Sequence, residues 1–438
     1  MTATALQPLR PELPTEIWHH IFRLATEVEG EFDPLLWSQE HTEAPLRDIF
    51  TCSIDSTYIN TTRFTIDRNF PTRRYISSVS RRWRRLGITI LYSSVTLKSH
   101  SNMVAFLHVL KQSAEGDANS GGLAQCVRRI TFGPSRFAKF ENSEYTMARI
   151  LSLCKNLVIL VDAGPSTGPG QFPFPEFPPL AQCPNLRYIF GKRPLIPLPS
   201  SEPWKWLLSM QNLHAITLEY TMRYLKDNTP FPITTIHLPR LHTLQFADDG
   251  DAVARLVSSW DLPSLRNLFF TEDNSNQAFN CILQSHGHKI EKFVFTRDLV
   301  VYDYEVSTDS DLSPPSLPRL RFLSMPSPEP RDLPSVTPLI TSPNLETIVF
   351  LIDIHALVPY GEYPYPLEEH PESVGELLDV LLNRRKTPSL RTVQFLNLSW
   401  EWPRRITNGW LKGLEERFWE RGVRLQIYMA EGSLSVPS

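Results

Sequence analysis

From about Val127 onward one short phrase recurs along the chain: a small or polar pair, often Pro-Asn, Pro-Ser or Pro-Arg, followed by Leu-x-x-apolar-x-apolar. It reads Leu157-x-x-Leu160, Leu186-x-x-Ile189, Leu213-x-x-Ile216-x-Leu218, Leu241-x-x-Leu244-x-Phe246 and Leu265-x-x-Leu268-x-Phe270. It continues as Ile290-x-x-Phe293-x-Phe295, Leu320-x-x-Leu323-x-Met325, Leu345-x-x-Ile348-x-Phe350 and Leu390-x-x-Val393-x-Phe395. The anchors are separated by 29, 27, 28, 24, 25, 30, 25 and 45 residues, so one small unit is being repeated. Prolines mark it: 38 in 438 residues is nearly twice the usual ~5% share, while the 18 glycines fall short of the usual ~7%.

Side chains alternate faces along an extended chain, so the fourth and sixth positions of each phrase share one side and the phrase is a short strand. Between phrases lie segments with helical spacing, such as Met147-Ile150-Leu151-Cys154, Val253-Leu256-Val257-Trp260, Phe279-Ile282-Leu283 and Leu377-Leu378-Leu381-Leu382. A strand and a helix of this length cannot bury their apolar faces alone. Successive units must therefore stack, strands side by side and helices outside, as a curved solenoid of α/β class.

These phrases resemble irregular, Pro-marked leucine-rich repeats over roughly 124–430. Eight residues after the anchor, where that family commonly carries Asn or Cys, stand Asp249, Asp273, Asp298, Asp353 and Thr221. A short side-chain oxygen there suits the turn leaving the strand. Gly191, Pro328 and Leu398 depart from the pattern.

The amino-terminal region is different. Leu13-Pro14-Thr15-Glu16-Ile17 opens a helix, with Pro presetting φ and Glu favouring the positive end of the helix dipole. Ile17, Ile21 and Leu24 form one apolar face, flanked by Trp18, Phe22 and Ala25, a stripe wide enough to be used on two sides. Downstream, Val79, Trp83, Leu86 and Ile90 are spaced for one face of a second helix, which runs through Tyr92 to Val95-Thr96-Leu97. Together the Leu-Pro-x-Glu-Ile-x-x-x-Ile-Phe opening and the Val-x-Arg-x-Trp-Arg centre resemble an F-box. Here about fifty residues, 26–74, separate the two halves, and Ser80 stands where Cys is frequent in that family.

A formal net charge of -3 gives no global attraction to nucleic acid or anionic lipid. The cluster Arg81, Arg82, Arg84 and Arg85 lacks the interleaved aromatics of a single-strand binder and fits a solvated helix face. Five dispersed cysteines without CxxC pairs suit a reducing compartment, and neither a signal-peptide pattern nor a long apolar run occurs, so a cytoplasmic or nuclear location is expected. Phosphate loops, HExxH and GxSxG are absent. Cys281, His286 and His288 supply three ligand types near one helix end, short of a closed four-ligand zinc site, and a chance cluster is the simpler reading. No cofactor and no catalytic residue is nominated.

The expected organisation is an F-box at 1–97 (helix at 13–25, insertion 26–74, helices 75–97), a connector at 98–123, the solenoid at 124–430 and a tail at 431–438. The resemblance implies a non-catalytic substrate-recognition subunit of a Skp-cullin-F-box ubiquitin ligase. Its box would dock a Skp-type adaptor, and through it a cullin, by way of Leu13, Pro14, Ile17, Ile21, Val79, Trp83 and Leu86. The repeats would hold a protein substrate. The third, fifth and seventh positions of each phrase face away from the core, which nominates Thr217, Glu219, Gln245, Asn267, Phe269, Lys292, Thr296, Phe322, Thr347 and Gln394. The alternative is a repeat scaffold without a ligase, whose first helix would cap the solenoid and leave no apolar groove exposed.

Overall fold

The computed structural model describes residues 13–26, 32, 71–116, 122–132, 143–162, 183–191, 205–219, 235–247, 257–270, 276–295, 317–326, 333–351, 371–398 and 408–429. Among them twelve strands form one open, all-parallel sheet whose spatial order is the sequence order. The strands are β1 (Ser94–Leu97), β2 (Arg129–Phe132), β3 (Ile159–Asp162), β4 (Tyr188–Gly191), β5 (Ala215–Glu219) and β6 (Thr243–Ala247). They continue as β7 (Asn267–Phe270), β8 (Lys292–Phe295), β9 (Phe322–Pro326), β10 (Thr347–Leu351), β11 (Thr392–Leu398) and β12 (Arg424–Met429). Every anchored phrase lies in this sheet, and the units stack in register: Leu244 pairs with Leu268, Phe293 with Leu323, Ile348 with Val393. This is a leucine-rich-repeat-like solenoid, not a closed barrel.

The helices, numbered in chain order, are α1 (Thr15–Thr26), α2 (71–79), α3 (Arg81–Ser93), α4 (His100–Gly116), α5 (Ser143–Leu153) and α6 (Lys205–Leu208). After them come α7 (Asn276–His286), α8 (Leu333–Ile340), α9 (Pro371–Leu382) and α10 (Asn408–Arg421). One continuous core joins fourth- and sixth-position strand residues to the inner faces of these helices: Ile130, Leu160, Ile189, Leu244 and Phe293 meet Met147, Ile150, Leu151, Ile282 and Leu381. Burying such residues contributes roughly 1.5–3 kcal/mol each, which is why a unit of this size needs its neighbours.

The Pro-Asn and Pro-Ser pairs have a defined role. In five units the polar residue just before the anchor donates its side chain to the carbonyl two residues before the preceding anchor. Asn156 reaches Gln125 O at 2.9 Å, Asn212 reaches Pro184 O at 3.0 Å, and Ser264 reaches Pro239 O at 2.6 Å. Asn344 reaches Pro318 O and Ser389 reaches Pro343 O, both at 2.6 Å. Proline presents a carbonyl with no N–H of its own to satisfy, and its fixed φ holds that carbonyl in place. In these five units the polar residue thus joins the repeat to the one before it.

Two expectations change. The sheet starts at Ser94, inside the segment assigned to the N-terminal unit, because Ser94 pairs with Arg129 and Leu97 with Phe132. Residues 98–123 are therefore not a plain connector: α4 places Met103, Phe106 and Leu110 in the repeat core. Tyr92 occupies the anchor position of this first unit and stacks on Phe106 at 6.3 Å. The second change is a helix break at Ser80, whose side chain accepts from Trp83 N at 3.1 Å as the N-cap of α3. Val79 thus ends α2 and does not share a helical face with Trp83 and Leu86.

Candidate functional site: an exposed apolar face on the N-terminal helices

Helix α1 begins where Pro14 O accepts from Ile17 N at 3.1 Å and Trp18 N at 3.2 Å. Its inner side is aromatic. Phe22 is buried, and the Trp18, Phe22 and Trp83 rings lie with centroids 4.8 to 5.6 Å apart in tilted geometry, the arrangement that ring quadrupoles favour. The far end of α1 is tied by Arg73, which donates to Thr26 O at 2.9 Å and so satisfies a C-terminal carbonyl. The start is tied by Arg82, whose guanidinium reaches Leu13 O at 3.4 Å. Helix α2 meets α3 closely: a Cβ built at Gly87 would stand 3.1 Å from Ile76 Cγ2.

The other side of α1 carries Ile17, Ile21 and Leu24, exposed by 45%, 39% and 62%, and Leu13, just before the helix, is exposed by 43%. On α2, Tyr75 and Val79 are exposed by 70% and 61%. These are most of the large exposed apolar side chains among the described residues, concentrated on two short helices when scattered single exposures would be ordinary. Of the residues nominated from sequence, Leu13, Pro14, Ile17, Ile21 and Val79 are exposed, whereas Trp83 and Leu86 are half-buried. Trp83 serves the interior of this unit. Tyr75 was not nominated, and its spacing one helical turn before Val79 is the signal that could have found it.

On the sheet face turned away from the helices, alternation places the nominated residues as expected but not at the expected depth. Thr217, Gln245, Phe269 and Gln394, all fifth-position residues, are buried. In-register strands about 4.8 Å apart stack equivalent side chains into a ladder, each one covered by its neighbours on both sides. Asn267, Lys292, Phe322 and Thr347, all third-position residues, are half-buried. Glu219 ends β5, and Thr296 lies outside the described residues. The turn residues Thr221, Asp249, Asp273, Asp298 and Asp353 lie outside them too, as does nearly all of 26–74.

Lys292 is the distinctive group on this face. Its ammonium stands over the Phe322 ring at 4.7 Å and the Phe269 ring at 5.7 Å, and desolvation pushes it down to about 8. Beside it, Asn267 donates to Thr243 Oγ1 at 3.0 Å. Farther along, Gln394 donates to Gln426 Oε1 at 2.6 Å.

Chemistry of the nucleophilic or metal kind has little to work with among the described residues. Burial pushes the Cys154 thiol up to about 12 and Cys183 up to about 11, so neither forms a thiolate near neutrality. His286 is buried with Nε2 3.2 Å from Val257 O, and among the described residues no group of three or more His, Cys, Asp or Glu is placed to hold a metal ion. No described helix is long and apolar enough to cross a membrane.

Comparison with known proteins adds little. No family model matches the chain, and no curated protein matches it. Among solved structures, one described as a crystal structure of a TLR13-ssRNA13 complex aligns with a TM-score of 0.32 and 13% identity, covering 69% of this chain. The chain spans 46% of that protein's length.

Proposed function

We propose that this chain is the substrate-recognition subunit of a Skp-cullin-F-box ubiquitin ligase. The N-terminal helices dock a Skp-type adaptor and the repeats hold a protein substrate. What carries the reading is the division of labour on α1: Trp18 and Phe22 pack inward on Trp83, while Leu13, Ile17 and Ile21 stay exposed. An apolar face of this kind on a folded unit is the usual mark of a protein partner. The scaffold alternative expects α1 to be covered, and the exposure of Ile17 and Ile21 weighs against it.

In this role the chain catalyses nothing. It raises the effective concentration of a substrate lysine beside a charged ubiquitin-conjugating enzyme. Substrate contacts fall to the accessible third-position residues Asn267, Lys292 and Phe322, while Gln245, Phe269 and Gln394 shape the surface beneath.

The test is co-purification of the full chain with a purified Skp-type adaptor. Saturable binding lost in Ile17→Asp and in Val79→Asp, with unfolding midpoints unchanged, is the expected result. If the folded wild-type chain binds no adaptor, the ligase reading fails and the scaffold reading takes its place.

A further inference from the structure

At the far end of the solenoid from the N-terminal helices, an open cavity of about 430 Å³ lies beside the strand starts of β10, β11 and β12, lined by Glu346, Arg384, Ser389, Arg391, Arg421 and Gly422 among others. Three arginines and one glutamate are among its lining residues. That carboxylate is already engaged from outside the cavity, because Arg321 donates to Glu346 Oε1 through Nε at 3.1 Å and Nη2 at 2.8 Å.

The three arginines are held differently. Arg421 donates to the Thr387 carbonyl at 2.6 Å and to the Thr387 hydroxyl, which fixes its plane, yet its Nη1 is buried with no partner. Arg384 donates to Arg421 O at 2.8 Å, the last carbonyl of α10. The exposed Arg391 makes no side-chain hydrogen bond or ion pair among the described residues. Burial, and after it the charge of Arg384, push the Arg421 guanidinium below its ordinary range.

We infer that this cavity is an anion site for a phosphate dianion, carried either by a phosphorylated side chain or by a free phosphate compound. A single carboxylate would leave most of the positive charge unmet, whereas a phosphate monoester carries about −1.5 to −2 near pH 7 and offers three acceptor oxygens to the guanidinium forks. The exposed Arg391 and Arg384 supply the accessible donors, and Arg421 adds its charge behind them. The site is independent of the adaptor reading and needs no ligase.

The experiment is calorimetric titration of the full chain with inorganic phosphate and, separately, with N-acetyl-O-phosphoserine methylamide, at constant ionic strength. Arg391→Gln is the principal variant because that side chain holds nothing else in place. Arg384→Gln is the second, with unfolding midpoints checking both. Saturable uptake weakened roughly ten-fold by Arg391→Gln, the worth of one charge-assisted contact, is expected. Tighter binding of the phosphoserine probe assigns the anion to a modified protein, and equal or tighter binding of inorganic phosphate assigns it to a free compound. No saturable uptake of either probe, or uptake unchanged in both variants, overturns the inference.

Discussion

Asn344 donates its side-chain amide to the carbonyl of Pro318, 2.6 Å away and one whole repeat earlier in the chain. Ser389 does the same to Pro343, and the two bonds link three consecutive units. Replacing Asn344 with Leu, or Ser389 with Ala, removes one such bond, and each change is expected to cost about 1 kcal/mol. Urea denaturation measures it. A loss below a few tenths in both would mean that water replaces the donor freely and that the polar pair matters only for the turn.

Trp83 and Ile17 lie on opposite sides of the same small unit and should fail differently. Trp83→Ala empties the space against Trp18 and Phe22 and is expected to cost about 3 kcal/mol, melting α1 locally. Ile17→Asp places a charge on a side chain already 45% exposed and should leave stability within about 0.5 kcal/mol. Circular dichroism together with limited proteolysis of the N-terminal region distinguishes the two. Comparable destabilisation by both would mean that Ile17 is buried in solution.

The sequence period was enough to find nine strands, because an anchor and two apolar positions repeat wherever the core face does. It missed three units whose anchor is neither Leu nor Ile. Tyr92 leads β1, Val127 leads β2, and Gly422 stands at the anchor of β12, so the phrase vanishes although the pairing persists. Alternation also states which way a residue points and nothing of how deep it lies, which is why Gln245 and Phe269 were legible as facing away from the helices but not as buried. The break at Ser80 was hidden because helical spacing carries through a cap without interruption. Arg384, Arg391 and Arg421 come together only through the stacking of two units, so no local pattern announces their cavity.

The depressed Lys292 ammonium gives a dependence on pH whose sign can be worked out. Its folded value of about 8 lies below the unfolded reference near 10.5, so between these limits the folded chain binds fewer protons than the unfolded one. Stability therefore rises with pH across that window, and the desolvation cost is fully present below about pH 8. Allowing for the solvent that remains around a half-buried side chain, the change is on the order of 2 kcal/mol. Lys292→Met keeps an apolar stem against Phe269 and Phe322 and should stabilise the chain at pH 7. Denaturation at pH 7 and pH 10 checks this, and an equal pH dependence in variant and wild type would place its origin elsewhere.

Two glycines, one inside α10 and one just after it, should answer to the same substitution with opposite signs. Gly413 lies inside the helix, and a Cβ there would meet nothing within 4 Å. Gly413→Ala should therefore stabilise by about 0.5–1 kcal/mol through helix propensity alone. Gly422 has φ +77, donates its N–H to Trp419 O at 2.8 Å, and lets Val423 N reach Phe418 O at 2.9 Å. This pattern is the Schellman turn that ends a helix and returns the chain to a strand. Space is open around Gly422 as well, so Gly422→Ala isolates the left-handed backbone, and a loss of about 1 kcal/mol is expected from the strained φ. Thermal unfolding of the pair decides it: if both substitutions shift the midpoint the same way, backbone conformation is not what governs this turn.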